Sequence, residues 1–214
     1  MGIEDVFTNL SIILDLPQPF RSLKIPLSSY ADIFSQKTRG GNPPNRIIVQ
    51  GEAGTGKSTL CAKFAYDWAQ GSDSSYLGGK TLLFLLRMRD LEEFTTLEDA
   101  IIKHLLPSDT DITSSQLRKY LNEHSDQCCI LFDGFDETYD IDLDSVTFAR
   151  DGDSGINIAS ILSCKTLRRC PVVVTSRPER LVELEEYRKH YMHYEVVGFS
   201  EDEVESYIRK FFAG

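Results

Sequence analysis

The amino-acid sequence predicts an α/β fold in which a mainly parallel sheet is covered by helices on both faces. From residue 46 onward, short runs of aliphatic and β-branched residues alternate with segments of helical periodicity, as in βαβ units. The runs are apolar at nearly every position, which is typical of strands buried on both faces. The chain has 214 residues, of which 41% are hydrophobic, so it can bury one large core.

These patterns predict five strands and four helices. The strands are expected at residues 46–50, 81–86, 128–132, 171–175 and 191–197. Three helices are expected at residues 57–70, 97–106 and 114–122. A fourth begins at Ser200, because Ser200 and Glu203 form a capping-box pattern and apolar residues follow at helical spacing, namely Val204, Tyr207, Ile208 and Phe211.

We expect three parts along the chain. Residues 1–45 form an N-terminal approach segment and linker, because a stretch rich in glycine, proline and asparagine precedes the first strand. Residues 46–198 contain the alternating strands and helices, and residues 199–214 are expected to be the start of a truncated helical domain. Residues 139–153 are acidic and lack apolar periodicity, so they are predicted to form a loop.

Composition excludes several classes of function. The formal net charge of −10 opposes nucleic-acid binding, which normally requires a basic surface. No apolar run approaches the roughly 20 residues that a membrane-spanning helix needs. The first 16 residues contain no lysine or arginine, unlike a secretory signal, and the five cysteines show no C-x-x-C spacing. We therefore expect a cytoplasmic protein with reduced thiols, no nucleic-acid partner and no membrane span.

A phosphate-binding loop follows the first predicted strand. The segment from Gly51 to Ser58 satisfies the pattern G-x-x-x-x-G-K-[ST] and opens the first predicted helix. Glycines let the backbone curl so that its N–H groups face a phosphate, and the helix N-terminus adds the positive end of its dipole. Lys57 would reach the β- and γ-phosphates, and the Ser58 hydroxyl would bind Mg²⁺. The expected nucleotide-binding residues are Gly51, Glu52, Ala53, Gly54, Thr55, Gly56, Lys57, Ser58 and Thr59.

Acidic residues follow the third predicted strand. Asp133 ends this apolar strand and would lie beside the phosphate loop, where it can hold Mg²⁺ directly or through water. A hydrolytic site also needs a group that orients and deprotonates the attacking water, and Asp136 and Glu137 are both candidates. The alternative is that one of these two residues only caps a turn.

Arg177 follows the fourth predicted strand. A guanidinium fixed at this edge suits the recognition of a γ-phosphate, so Arg177 is a candidate sensor and belongs to the catalytic group with Lys57, Asp136 and Glu137. The alternative is an ordinary surface arginine.

These motifs resemble those of the NACHT family of signal-transducing P-loop ATPases, which includes the NOD-like immune receptors. The resemblance covers residues 46–212. It rests on the loop at 51–59, the run Asp133-Gly134-Phe135-Asp136-Glu137, the run Thr175-Ser176-Arg177-Pro178, the run Gly198-Phe199-Ser200 followed by a helix, and the triplet Arg89-Asp90-Leu91. It implies a P-loop NTPase sheet with an additional strand, 171–175, between the phosphate-loop strand and the Asp133 strand. It also implies an ATP/ADP switch with Mg²⁺, slow hydrolysis, self-association through this domain and a role in innate-immune or cell-death signalling.

Three other functions remain open. A GTPase is disfavoured because the chain lacks the N/T-K-x-D element that reads guanine. A kinase would need an arginine-rich lid, for which Arg168, Arg169, Arg177 and Arg180 are candidates, although the pair Asp136-Glu137 favours water as the acceptor. A module that binds nucleotide without hydrolysing it is the third. No motif identifies an effector or a sensor partner.

Overall fold

A computed structural model of the chain describes residues 3, 7–16, 23–38, 41–71, 76–91, 96–138, 143 and 155–213. Seven strands form one sheet: β1 (Ser11–Leu16), β2 (Leu23–Pro26), β3 (Arg46–Gln50), β4 (Leu82–Arg87), β5 (Cys128–Asp133), β6 (Val172–Ser176) and β7 (Met192–Gly198). Their order is β2-β1-β7-β3-β6-β5-β4. The five strands from β7 to β4 are parallel to one another, whereas β1 pairs antiparallel with both β7 and β2.

The expected insertion of a strand is confirmed, because β6 lies between β3 and β5. The register aligns these three strands: Ile48 lies opposite Val174, and Val174 lies opposite Phe132. Since parallel strands end at the same edge, the residues that follow β3, β5 and β6 meet at one edge of the sheet.

In the described part of the chain, five helices accompany the sheet: α1 (Lys57–Ala69), α2 (Leu97–Leu105), α3 (Ser114–Glu123), α4 (Ile158–Leu162) and α5 (Glu201–Ala213). Short 3₁₀ segments connect them at Tyr30–Phe34, Tyr76–Gly79, Met88–Asp90, Ser125–Gln127, Phe135–Glu137 and Pro178–His190. Thr113 caps α3 through a reciprocal pair of hydrogen bonds with Gln116.

The central strands β3, β5 and β6 are buried on both faces, as predicted. On β3, Ile47 and Val49 join a core that contains Leu60 and Phe64 of α1, whereas Ile48 joins a second core on the opposite face. The second core is built with α2, α3 and α4. The apolar residues at the centre of β3 therefore point alternately to two different cores.

A buried carboxylate joins the helices of the second core. Glu98 of α2 is fully buried, and it accepts hydrogen bonds from the Nε of Arg118 on α3 and from the backbone N–H of Ile156. The three groups satisfy each other away from water, so this network fixes the position of α2 and α3.

The edge strands β1 and β2 were not predicted from the sequence. All four residues of β2 are exposed, so it lacks the apolar run that marks the central strands. In the sheet, β1 pairs with β7, and Leu14 lies opposite Tyr194. These two strands are far apart along the chain, so no local pattern indicates their pairing. The division at residues 45 and 198 remains our proposal.

The C-terminal helix α5 begins as predicted. The Ser200 N–H donates to Glu203 and the Glu203 N–H donates back to the Ser200 hydroxyl oxygen, which confirms the capping box. Its apolar residues are exposed, including Ile208 and Phe211. None of the helices in the described ranges is long and apolar enough to cross a membrane. The predicted loop at 139–153 lies outside the described residues, apart from Leu143.

One buried histidine lies away from the edge where the motifs meet. His193 of β7 lies beneath the segment Pro178–His190, with its Nε2 3.1 Å from the carbonyl oxygen of Arg188. Burial lowers the pKa of His193 below its ordinary value of 6.5, because the charged imidazolium would lose its hydration.

Candidate functional site

The phosphate loop connects β3 to α1, and its shape depends on glycine. Gly54 and Gly56 have φ angles of +77° and +95°, in the left-handed region that side chains disfavour. Gly51 has no room for a side chain, because a Cβ there would lie 2.8 Å from both the Val196 carbonyl oxygen and the Thr55 hydroxyl. The motif's glycines are therefore required by the backbone as well as by the expected ligand.

Lys57 begins α1 and folds back over the loop. Its ammonium donates hydrogen bonds to the carbonyl oxygens of Gly51, at 2.6 Å, and Glu52, at 2.8 Å. Partial burial lowers the pKa of Lys57, while the nearby carboxylate of Asp136 acts in the opposite direction. The ammonium of Lys57 thus lies against the loop, on the side where the loop would hold a phosphate.

Asp133 lies between α1 and β6. Its Oδ1 accepts hydrogen bonds from the Ser58 hydroxyl, at 3.1 Å, and from the Thr175 hydroxyl, at 2.8 Å. The Thr175 oxygen in turn accepts from the backbone N–H of Gly134, at 2.9 Å. Residues from three elements are therefore linked in one network at the edge of the sheet.

Asp136 holds Arg177. The Arg177 Nε lies 2.9 Å from Asp136 Oδ2, and the Arg177 backbone N–H donates to Asp136 Oδ1 at 3.0 Å. The Asp136 side chain is only 9% exposed, whereas that of Arg177 is 51% exposed. The arginine is anchored at its base, with the rest of the guanidinium directed toward solvent.

Glu137 is placed differently from its neighbour. It ends the 3₁₀ turn after β5, its side chain is 46% exposed, and its Oε2 lies 3.7 Å from the Nη1 of Arg89. Asp136 has both oxygens engaged by Arg177, so Glu137 is the acid that retains an open approach for a water molecule.

Most of the predicted site residues line a single cleft of about 270 Å³. Its walls are formed by Ala53, Gly54, Gly56, Lys57, Ser58, Thr59, Asp133, Gly134, Asp136, Glu137, Thr175 and Arg177. Three predicted residues, Gly51, Glu52 and Thr55, do not line it. Gly51 and Glu52 lie behind it as the carbonyl acceptors of Lys57, and Thr55 bonds to the Glu52 carbonyl oxygen.

The oxygen atoms at Ser58 and Asp133 suit Mg²⁺. A hydroxyl and a carboxylate are hard oxygen ligands, and Mg²⁺ in nucleotide sites takes one or two protein oxygens and fills the rest of its shell with phosphates and water. The two oxygens lie 3.1 Å apart, which is close to the spacing of adjacent ligands around one Mg²⁺ ion.

Two residues beside the site were given no role by sequence reasoning, although Thr175 belongs to one of the quoted motifs. Thr175 is 1% exposed and links Asp133 to Gly134, and its position at the end of an apolar strand was the available signal. Leu10 lies against the loop, since a Cβ on Gly56 would be 3.2 Å from its methyl groups. No pattern in the sequence places Leu10 there.

Comparisons with known proteins point to one family. The family model for the NACHT domain matches residues 45–214. Protein NLRC5 of Ictalurus punctatus is 29% identical over 78% of this chain and 10% of its own length. "NACHT, LRR and PYD domains-containing protein 12" of Homo sapiens is 27% identical over 84% of this chain, and "NACHT, LRR and PYD domains-containing protein 3" of Mus musculus is 29% identical over 91%. The chain spans 17% and 18% of the length of those two relatives. It belongs to the NACHT domain family of P-loop proteins.

Proposed function

We propose that this chain binds ATP and ADP together with Mg²⁺ and acts as a nucleotide-dependent switch within a signalling protein. Membership of the NACHT family makes it a nucleotide-binding signalling domain. The observation that carries the finer proposal is the network that joins Ser58, Asp133 and Thr175, with Arg177 at the same edge. A glycine-rich surface turn would not need these groups around it.

The phosphates would be held by the loop from Gly51 to Thr59. Backbone N–H groups of the loop and the N-terminus of α1 supply positive potential, and Lys57 exchanges its two carbonyl partners for phosphate oxygens. Ser58 and Asp133 would hold Mg²⁺, which neutralises charge on the β- and γ-phosphates when it is bound.

Glu137 is our candidate for the residue that orients the attacking water. Asp136 was an equal candidate from the sequence, but both of its oxygens accept hydrogen bonds from Arg177. Asp136 therefore acts as a positioning residue for Arg177, which we assign to the γ-phosphate. The Nη1 of Arg89 lies 3.7 Å from the Oε2 of Glu137, where it would compete weakly with a water molecule for this carboxylate. The same contact supports the second candidate, a switch that binds ATP without hydrolysing it.

Thermal stability in the presence of nucleotides tests the proposal. At a hundred times its dissociation constant, a ligand stabilises a folded domain by about 2.7 kcal/mol, which corresponds to a rise in Tm of about 5–10 °C for a chain of this size. We expect this rise with Mg-ATP and Mg-ADP, a smaller one with Mg-GTP, and none in Lys57→Ala. Glu137→Gln should keep the rise and lose any phosphate release. A Tm that no nucleotide changes in the unsubstituted chain would refute the proposal.

The cellular role rests on family resemblance. We propose an innate-immune or cell-death function, a cytoplasmic location, and self-association through this domain that depends on the nucleotide. Sedimentation of the full-length protein with ADP and with a non-hydrolysable ATP analogue tests the last point. A monomer under both conditions would rule out nucleotide-driven assembly.

A further inference from the structure

A second lysine of α1 lies in a cage of aromatic rings. Lys63 is 8% exposed, and its ammonium lies 5.5 Å from the ring centre of Phe7, 5.8 Å from that of Tyr30 and 5.4 Å from that of Tyr66. A cation is attracted to the faces of aromatic rings at such distances, most strongly where water is excluded. Lys63 and Tyr66 belong to α1, which begins at the phosphate loop, so the cage is connected to the site through this helix.

Asp67 holds the cage together. One of its oxygens accepts a hydrogen bond from the Lys63 ammonium, one helical turn away, and the other accepts from the Tyr30 hydroxyl at 2.6 Å. Burial is the largest single influence and lowers the pKa of Lys63, but the hydrogen bond to Asp67 and the nearby Tyr30 and Asp67 groups together raise it overall. Lys63 stays charged at neutral pH and ties two N-terminal rings to α1.

The cage fixes a segment that borders the phosphate loop. The ring of Phe7 packs edge-on against that of Tyr30, with centroids 5.1 Å apart, and the side chain of Asn9 accepts a hydrogen bond from the Tyr30 backbone N–H. Three residues after Phe7, the side chain of Leu10 lies over Gly56, the last glycine of the loop. Residues 7–10 thus lie beside the loop without belonging to it, and none of them lines the cleft that contains Lys57, Ser58 and Asp133.

We infer that Lys63 is a positioning residue for nucleotide binding: through its aromatic cage it holds residues 7–10 against the phosphate loop, so that they contact the nucleoside part of the ligand. The inference rests on the proposed function, because it assumes that the loop binds the phosphates. It assigns a separate task to each lysine of α1. Lys57 contacts phosphate, whereas Lys63 determines how well the chain distinguishes a nucleotide from a bare polyphosphate.

The test compares ATP with inorganic tripolyphosphate, both with Mg²⁺, by calorimetry. Lys63→Met keeps the length and apolar stem of the side chain but removes the charge. We expect it to bind ATP about tenfold more weakly, the equivalent of about 1.4 kcal/mol, and to bind tripolyphosphate within twofold of the unsubstituted chain. Lys63→Arg retains a cation for the rings and for Asp67, and it should bind both ligands normally.

Two further variants separate positioning from damage to the fold. Phe7→Leu removes one ring of the cage without leaving Asp67 unpaired, and it should also weaken ATP binding selectively. Lys119→Met, on the exposed face of α3, is the matched control and should change neither affinity. All titrations are made well below the lowest Tm of the set.

Two results would overturn the inference. One is ATP affinity that is unchanged in both Lys63→Met and Phe7→Leu, and the other is a parallel loss of ATP and tripolyphosphate affinity. Failure of the proposed function gives a different pattern, because the unsubstituted chain would then bind neither ligand.

Discussion

Replacing Thr175 by valine tests the network behind Asp133. Valine has the same shape as threonine but lacks the hydroxyl, so Thr175→Val removes the donor to Asp133 and leaves the buried N–H of Gly134 without its acceptor. An unpaired buried N–H costs about 1–3 kcal/mol, and a hydrogen bond to a charged group contributes about 1.5–3 kcal/mol. Because Asp133 keeps its bond with Ser58, we expect a net loss of about 3 kcal/mol rather than the full sum.

A loss of this size should lower the Tm by about 6–12 °C for a chain of this length. Calorimetry would measure the shift, with Thr175→Ser as the control, because serine retains the hydroxyl and should lose less than half as much. Asp133 would also be less well oriented, so the Mg²⁺-dependent part of ATP affinity should fall in Thr175→Val. If Thr175→Val were as stable as Thr175→Ser and its ATP affinity depended on Mg²⁺ as in the unsubstituted chain, the Thr175 hydroxyl would not support Asp133.

Three other predictions follow from the packing. Gly51→Ala should abolish ATP binding in a titration, because the added methyl group collides with a carbonyl of β7, whereas Gly79→Ala has open space and should behave normally. Glu98→Gln should lower the free energy of unfolding in urea by about 2–3 kcal/mol, because it breaks a buried charged network, and the exposed Glu123→Gln should lower it by less than 0.5 kcal/mol. For His193, the folded pKa lies below the unfolded value of 6.5, so its contribution to stability is present above pH 6.5 and is lost as the pH falls below that value. His193→Gln should therefore show a smaller drop in Tm between pH 7 and pH 5, and an equal drop would contradict the assignment.

The central sheet was predictable because parallel strands that are buried on both faces are apolar at nearly every position. Each of the five predicted strands starts and ends within one residue of the observed one, for example 128–132 against Cys128–Asp133. Helix α1 was predicted with similar accuracy, since the phosphate-loop motif fixes its first residue. By contrast, β2 has only four residues and α4 only five, so neither has a periodic pattern long enough to recognise.

The candidate site was predictable in its members but not in its pairings. The motifs identified Asp136, Glu137 and Arg177, yet the sequence could not say which acid holds the arginine. That choice depends on β5 and β6 being neighbours, which brings together residues 41 positions apart. The role of residues 7–10 was hidden for the same reason, since Leu10 reaches Gly56 only after the chain has folded.

The most direct test of the account is a calorimetric titration of ATP into the chain at several Mg²⁺ concentrations, with Ser58→Ala measured alongside. We predict one ATP-binding site per chain. Its affinity for ATP should rise with the Mg²⁺ concentration in the unsubstituted chain, and should rise much less in Ser58→Ala. Binding that is absent, or equally indifferent to Mg²⁺ in both proteins, would contradict the claim that the phosphate loop and Asp133 form one Mg-nucleotide site.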